Sequence, residues 1–152
     1  MNKKKQCLKW ATLFLFLCLC SGVLKAQIIL NVEVENIRSS EGVLSISLYD
    51  NEVNYENNKP FKNKTVSKEH AKEGVFLVQF QDVFPGTYGI AVLDDENTDH
   101  KMNYTLMGFP KEGYGFSNFY HRGFTKPKFS DFVFELINHA NDTVNVTLRY
   151  LK

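Results

Sequence analysis

Residues 28–35 read IILNVEVE, and this stretch decides the fold class of the chain. Apolar side chains recur at every second position from Ile28 to Val34, which is the period of a β-strand with one buried face. Residues 44–48 repeat the pattern after a turn-rich segment that ends at Gly42. The first third of the chain therefore predicts two strands joined by a turn.

Further strands follow along the chain. The sequence predicts them at residues 65–70, 75–80, 87–93, 129–136 and 144–150, with a polar loop at 50–64 that has room for one helical turn. Pro85-Gly86 predicts a type II turn, because proline fixes the first φ and glycine takes the positive one. No segment of the sequence shows the apolar spacing of an amphipathic helix. About seven short strands at this spacing favour an all-β, Ig-like or transthyretin-like antiparallel sandwich.

The first 26 residues have the order of a secretory signal peptide. Three lysines at positions 3–5 precede a short apolar run at residues 10–20, and Ala26 is the small residue at the cleavage point. The run is too short for a comfortable membrane span. Cleavage would leave residues 27–152 as one domain, exported to the periplasm, the cell surface or the medium.

Removal of this segment changes the composition of the chain. All three cysteines leave with it, so no disulfide, zinc-thiolate site or catalytic thiol is expected. Five lysines and no acidic residue leave, which turns the formal net charge from +1 into −4. Because no net positive field remains, we expect no nucleic-acid partner.

The connection between the strands at 87–93 and 129–136 is the predicted place for a site. Residues 94–128 show no clear periodicity, and loops of this length tend to be functional or disordered. Eight of the 18 aromatic residues that follow the signal lie within residues 104–129, whereas disordered segments are poor in aromatics. The sequence therefore predicts a long ordered loop, about residues 94–128, that caps one end of the sandwich.

The start of this connection is acidic and has oxygen-bearing side chains at a spacing of two. Such side chains converge on Ca²⁺ when the backbone coils around the ion. The predicted ligands are Asp95, Asn97, Asp99, the carbonyl of Lys101 and Asn103. The match to an EF-hand loop is partial, because His100 stands in place of the sharp-turn glycine. The alternative is a solvated acidic loop whose side chains cap turns and pair with nearby cations.

The later part of the connection contains the aromatic run GYGFSN at residues 113–118. The candidate ligand contacts are Tyr114, Phe116, Ser117 and Asn118, since exposed rings beside polar groups stack on sugars or grip peptides. The alternative is that the rings form a small core of the cap, because many exposed rings would make a costly apolar surface. The expected partner is a glycan or a protein of the cell envelope.

Signatures of catalysis are weak. The chain has no H-E-x-x-H, no G-x-S-x-G and no glycine-rich phosphate loop. The arrangements that a hydrolase would use are Ser117 with His121 and Asp131, or Glu112 paired with Asp94 or Asp95. We expect a chain without enzymatic activity.

Two segments of the connection resemble the bacterial family catalogued as domain of unknown function 2141. They are DENTDHKMN at residues 95–103 and MGFPKEGYGFSN at residues 107–118, and PGTYGIAV at 85–92 fits as well. The resemblance covers about residues 28–150 and implies an exported bacterial protein with a small all-β domain. It implies no catalytic residues, and the chain has Thr98-Asp99-His100 where asparagine and glycine are common. A wider similarity to transthyretin-like and carboxypeptidase-regulatory-like sandwiches concerns the fold alone.

Three hypotheses about function follow. The leading one is a non-enzymatic binding or accessory module of the bacterial envelope, with ligand contacts in the connection at 94–128. The second is a structural domain that assembles with envelope partners through an open sheet edge, its connection only stabilising the fold. The third is a hydrolase that uses Glu112 or His121.

Overall fold

The computed structural model describes residues 28–69, 74–137 and 141–151. The predicted signal peptide lies outside these residues, as does the last residue of the strand predicted at 65–70. The described residues form eight strands: β1 Ile28–Glu35, β2 Val43–Tyr49, β3 Lys62–Ser67, β4 Phe76–Val83, β5 Gly86–Asp95, β6 Gly113–Phe116, β7 Val133–Leu136 and β8 Asn141–Thr147. They also form the short helix α1, Glu52–Glu56, and a 3₁₀ turn, Phe129–Asp131.

The strands form two sheets. One has three strands in the order β4-β1-β8, and the other has five strands in the order β3-β2-β5-β6, with β7 paired to β5 as well. β1 and β8 are parallel, whereas the other pairs are antiparallel. The predicted all-β architecture is confirmed, with one strand more than expected and one parallel pair. A period of two identifies a strand but does not reveal the direction of its neighbour.

The alternating residues of the first two strands build the core. Six of these side chains have no exposed surface: Leu30, Val32, Val34, Leu44, Ile46 and Leu48. They belong to one apolar cluster to which both sheets contribute. Each such burial contributes about 1.5–3 kcal/mol relative to an exposed side chain. Ser45 and Ser47 alternate with the core residues of β2 and therefore lie on the outer face of the five-stranded sheet.

The connection at 94–128 is ordered and contains a strand, β6, that its sequence does not reveal. Gly115 faces the interior, where an added Cβ would lie 2.7 Å from Val146 Cγ1 and 2.9 Å from the carbonyl oxygen of Thr147. Tyr114 and Phe116 take the opposite face. Because the interior face of β6 carries glycine instead of large apolar residues, the usual strand pattern is inverted and the segment looks irregular.

The type II turn predicted at Pro85-Gly86 is wrong. Gly86 is the first residue of β5 and lies outside the left-handed region, while Asp82 near the end of β4 has φ 56°. β4 and β5 belong to different sheets. Residues 84–85 therefore cross from one sheet to the other and do not close a hairpin.

Two lysines of the edge strand β3 cover backbone groups of β4. Lys62 Nζ donates to the carbonyl oxygens of Gln81 at 2.6 Å and Asp82 at 2.9 Å. Lys64 Nζ donates to the carbonyl oxygen of Gln79. Charged side chains at a sheet edge reduce its tendency to pair with another chain. The β4 edge of the three-stranded sheet is therefore poorly suited to assembly. None of the helices in the described residues is long and apolar enough to cross a bilayer.

Candidate ligand-binding groove

A groove of about 630 Å³ lies on the outer face of the five-stranded sheet. Its floor includes Ser45 and Ser47 of β2 and Ala91 of β5, which alternate with core residues of the same strands. Parts of the connection at 94–128 form its walls. Sites for small molecules usually enclose about 300–1,000 Å³, so the groove has the size of a small-ligand site.

Aromatic side chains surround this floor. They are Tyr49, Tyr55, Tyr104, Tyr114, Phe116 and Phe124. The rings of Tyr114 and Phe116 are neighbours on β6, with centroids 6.1 Å apart. Tyr104 and Phe124 are 57% and 70% exposed. The groove therefore presents accessible ring surface beside a partly polar floor.

A second core of buried rings supports the groove from one side. It consists of Tyr49, Tyr55, Phe116, Phe129 and Phe132. The Tyr55 hydroxyl donates to the carbonyl oxygen of Pro127 at 3.1 Å, which ties α1 to the chain before the 3₁₀ turn. The aromatic residues of the connection are thus divided: some pack as a small core, and others remain exposed at the groove.

The charged residues at the groove are basic. Lys101, Lys126, His100 and His121 line it, and none of the described residues that line it is acidic. Lys126 is already engaged, because its ammonium lies 3.5 Å from the Glu56 carboxylate and 3.9 Å from the centre of the Tyr55 ring. Lys101 is exposed and also lines the groove.

The structure separates the four predicted ligand contacts. Tyr114 and Phe116 line the groove. Ser117 is 1% exposed, and its hydroxyl donates to Phe132 O at 2.6 Å and accepts from Ile90 N at 2.9 Å. Asn118 is exposed outside the groove; its backbone N–H donates to Asn145 O at 2.8 Å, and its side-chain oxygen accepts from Asn145 N at 3.2 Å. The polar atoms of Ser117 and Asn118 thus join β6 to neighbouring segments.

The acidic loop brings the predicted calcium ligands together in interlocking turns. The buried carboxylate of Asp95 accepts from the backbone N–H of Asp99 at 3.1 Å and of His100 at 2.8 Å. The side-chain amides of Asn97 and Asn103 hydrogen-bond to each other at 2.6 Å. Asn103 also donates to Asp99 Oδ2 at 2.9 Å. These oxygens are satisfied by groups of the loop itself.

Two residues of this loop adopt the left-handed backbone conformation that glycine adopts most readily. Thr98 has φ 58° and His100 has φ 62°, both in the left-handed region. Lys101 donates its backbone N–H to Asp99 Oδ1 at 3.1 Å. The pKa of the Asp99 carboxyl is lowered, first by the amide of Asn103 and also by this N–H.

Glu112 lies beside the acidic loop and is only 4% exposed. Its Oε2 accepts from the backbone N–H of Asn103 at 3.0 Å, whereas its buried Oε1 makes no hydrogen bond. Burial raises the pKa of the Glu112 carboxyl and the charges of Asp95 and Asp99 raise it further, whereas the nearby backbone N–H groups of Asn103 and Glu96 lower it. A buried polar atom without a partner costs about 1–3 kcal/mol, so a cation or a proton at Oε1 would be favoured.

No metal cluster built from acidic, histidine or cysteine side chains alone is formed in the described part of the chain. Nowhere there do three such side chains lie close enough to share an ion. A cation at the acidic loop would therefore also need amide and carbonyl oxygens, which is the ligand set predicted from the spacing.

The residues of the hydrolase hypothesis are engaged elsewhere. His121 Nε2 lies 2.6 Å from the carbonyl oxygen of Thr125. Asp131 accepts from the backbone N–H of Lys128 at 2.9 Å. The Ser117 hydroxyl hydrogen-bonds to the backbone of Ile90 and Phe132. No hydrogen bond joins these three described side chains, so the structure does not assemble them as a triad.

A cluster of charged side chains around a buried ion pair lies at the end of β5, where no sequence pattern predicts one. Lys68 and Asp94 have no exposed surface and form an ion pair. The Tyr150 hydroxyl donates to Asp94 Oδ2 at 2.5 Å, and burial, followed by this bond, raises the pKa of Tyr150. Arg38 lies 4.3 Å from the centre of the Tyr150 ring and pairs with Glu96. An isolated lysine after a strand is usually exposed, so no sequence signal marks Lys68.

Comparison with known proteins gives one match. Residues 32–145 match the family model described as "Uncharacterized protein conserved in bacteria (DUF2141)". The matched range includes the acidic loop, β6 and all the residues that line the groove. No curated protein and no solved structure matches the chain.

Proposed function

The chain belongs to the DUF2141 family of uncharacterized proteins conserved in bacteria, and we propose that it is an exported binding module without enzymatic activity, whose ligand occupies the groove on the five-stranded sheet. The observation that carries this proposal is the convergence of the exposed rings of Tyr104 and Phe124, the half-buried ring of Tyr114 and a partly polar floor on one concave surface. Export rests on the signal-like residues 1–26.

Two features favour this function over the alternatives. Three carbonyl groups of the edge strand β4, at Gln79, Gln81 and Asp82, already accept hydrogen bonds from Lys62 and Lys64. Glu112 is buried outside the groove lining, and His121 is held by the carbonyl of Thr125. Neither residue therefore has a catalytic partner facing a bound ligand.

Tyr104→Ala is expected to weaken ligand binding, because this exposed ring lines the groove. Truncation of an aromatic anchor costs about 2 kcal/mol or more, which is roughly a 30-fold loss of affinity. Residues 27–152, fluorescently labelled, would be applied to printed arrays of oligosaccharides and of peptides, and the affinities of the positive probes measured by titration.

Tyr120→Ala is the matched control, since Tyr120 is 49% exposed and does not line the groove. It should bind like the wild type, and both variants should keep the wild-type melting temperature within a few degrees. The proposal fails when no probe on either array binds, or when every binding probe is unaffected by Tyr104→Ala.

Ca²⁺ binding at the acidic loop is a second candidate function, favoured by the unsatisfied oxygen of Glu112. This oxygen is buried next to a loop that already gathers the side chains of Asp95, Asn97, Asp99 and Asn103. We propose that Ca²⁺ at Glu112 Oε1 takes its other ligands chiefly from amide and carbonyl oxygens of this loop, since three acidic side chains do not lie close enough there to share an ion. Weak, millimolar binding is typical of extracellular Ca²⁺ modules.

Millimolar Ca²⁺ is expected to raise the melting temperature relative to EDTA, with Mg²⁺ as the control cation. Ca²⁺ at 100 times its Kd would add about 2.7 kcal/mol to the free energy of unfolding. Glu112→Gln should abolish this rise, while raising the melting temperature in EDTA at pH 7, because it removes a buried charge beside Asp95 and Asp99.

The pH dependence has a defined sign. The pKa of Glu112 is raised in the folded state, so this carboxyl favours folding at low pH, and the contribution is lost as the pH rises through the raised pKa. The advantage of Glu112→Gln should therefore disappear in acid. Equal melting temperatures in EDTA and Ca²⁺, or a Ca²⁺ effect that survives Glu112→Gln, would contradict the proposed site.

A further inference from the structure

We infer that the ligand of the groove is a negatively charged saccharide, held by its hydroxyl groups on the polar half of the floor, by a C–H face on the Tyr114 ring of β6 and by its anionic group at Lys101. This inference rests on the proposed function. It adds the chemical class of the ligand.

The strand register arranges the floor as two rows that run across four strands. One row is Asn63, Ser47, Ala91 and Phe116, and the next is Ser45, Leu93 and Tyr114, which the exposed Thr65 of β3 continues beyond the groove lining. Each row begins with hydroxyl or amide side chains on β3 and β2 and ends with an apolar and an aromatic side chain on β5 and β6. The floor is thus polar on one half and aromatic on the other.

This division matches the two surfaces of a sugar ring. Hydroxyl groups at the ring edge both donate and accept hydrogen bonds, as serine hydroxyls and asparagine amides do. The C–H groups of a sugar present an apolar face that packs on an aromatic ring. A purely apolar ligand would leave the polar half of the floor without partners, at a cost of about 1–3 kcal/mol per buried group.

An extended peptide fits this surface less well. Peptides that bind to sheets add a strand at an open edge and use backbone hydrogen bonds. The groove lies on the face of the sheet, and its central strands are paired on both sides: β2 with β3 and β5, and β5 with β2, β6 and β7. Recognition must therefore come from side chains.

The charge of the groove specifies the sign of the ligand. No acidic residue lines it among the described residues, although the chain without residues 1–26 carries a formal charge of −4. Lys126 is paired with Glu56. Lys101 is exposed at the wall and makes no side-chain hydrogen bond or ion pair with the described residues, although its charge contributes to the lowered pKa of the neighbouring Asp99 carboxyl. Its ammonium is available for a carboxylate, sulfate or phosphate group.

The test compares three tetrasaccharides by isothermal titration: one of uronic acid units, one sulfated and one of neutral glucose units. The wild type is expected to bind at least one charged tetrasaccharide about tenfold more tightly than the neutral one, as a charge-assisted hydrogen bond at the groove provides. Comparison of the uronic acid tetrasaccharide with the sulfated one shows whether carboxylate or sulfate is preferred. The preference should weaken as the salt concentration rises.

Lys101→Gln is expected to lower the affinity for the charged tetrasaccharide to that of the neutral one. Lys111→Gln is the matched control, because Lys111 is an exposed lysine of the same connection that does not line the groove. It should retain the preference. Equal loss in both variants would show a general charge effect and overturn the assignment to Lys101.

The remaining outcomes separate this inference from the proposed function. Equal binding of charged and neutral tetrasaccharides that is lost in Tyr104→Ala overturns the inference and keeps the groove as the binding site. Binding of peptides but of no saccharide, again lost in Tyr104→Ala, also overturns the inference and keeps the groove as the binding site. Absence of binding by all saccharides and peptides overturns both.

Discussion

Lys68→Met is expected to lower the free energy of unfolding by about 3–5 kcal/mol, because it leaves a buried aspartate without its cationic partner. Lys68 and Asp94 have no exposed surface. Among the described residues, the Tyr150 hydroxyl alone would remain as a side-chain donor to the Asp94 carboxylate. Since domains of this size are stable by about 5–15 kcal/mol, the variant loses a large fraction of its stability. Urea unfolding at pH 7 measures the loss.

A second substitution tests whether the uncompensated charge causes this loss. Asp94→Asn in the Lys68→Met background removes the charge and keeps an oxygen for Tyr150, so the double variant should be more stable than additivity predicts, by about 1 kcal/mol or more. Lys111→Met, at an exposed position, should change the stability by less than about 0.5 kcal/mol. An equal effect of Lys68→Met and Lys111→Met would show that the buried pair contributes nothing.

Gly115→Ala is expected to destabilise the domain by about 1–3 kcal/mol through overpacking. The added methyl group would lie 2.7 Å from Val146 Cγ1 and 2.9 Å from the carbonyl oxygen of Thr147, a backbone atom that cannot turn away. The displacement would act on β6, which carries Tyr114 and Phe116. Ligand binding in the groove should therefore weaken along with stability, as thermal unfolding and titration would show.

Gly108→Ala is an informative comparison, because an added Cβ there meets no atom within 4 Å but the backbone has φ +81°. Its cost comes from conformational strain alone, at about 1 kcal/mol, and it should leave the groove intact. Val146→Ala combined with Gly115→Ala should cost less than the sum of the two single changes. Strict additivity would show that the effect of Gly115→Ala does not come from the contact with Val146.

Local patterns in the sequence identified the strands that bury one apolar face. The alternation in residues 28–35 and 44–48 corresponds to β1 and β2, because every second side chain enters the core. The segment at 129–136 was predicted as one strand, whereas Phe129–Asp131 is a 3₁₀ turn and only Val133–Leu136 is extended. Phe132, Phe134 and Leu136 have the alternation of a strand, but Phe129 lies three residues before Phe132 and packs in the second core beside α1.

The candidate site was predictable in part. The spacing of Asp95, Asn97 and Asp99 placed them in one loop, since a turn brings neighbours in sequence together. The ring pair Tyr114 and Phe116 was identified from its composition, and both line the groove. Ser45, Ser47 and Asn63 were not recognised as part of a site, because small polar residues on a strand look like any solvated face.

By itself, the sequence determined the all-β class, the membership in the DUF2141 family and the content of the acidic loop and of the GYGFSN run, because each is recorded in residues that are close along the chain. The tertiary structure decided what distant segments do together. It pairs Lys68 with Asp94, places Ser47 between Asn63 and Ala91, and pairs β1 with β8 as parallel strands. These contacts follow from strand order and sheet packing, and a one-dimensional pattern carries no record of which strands become neighbours.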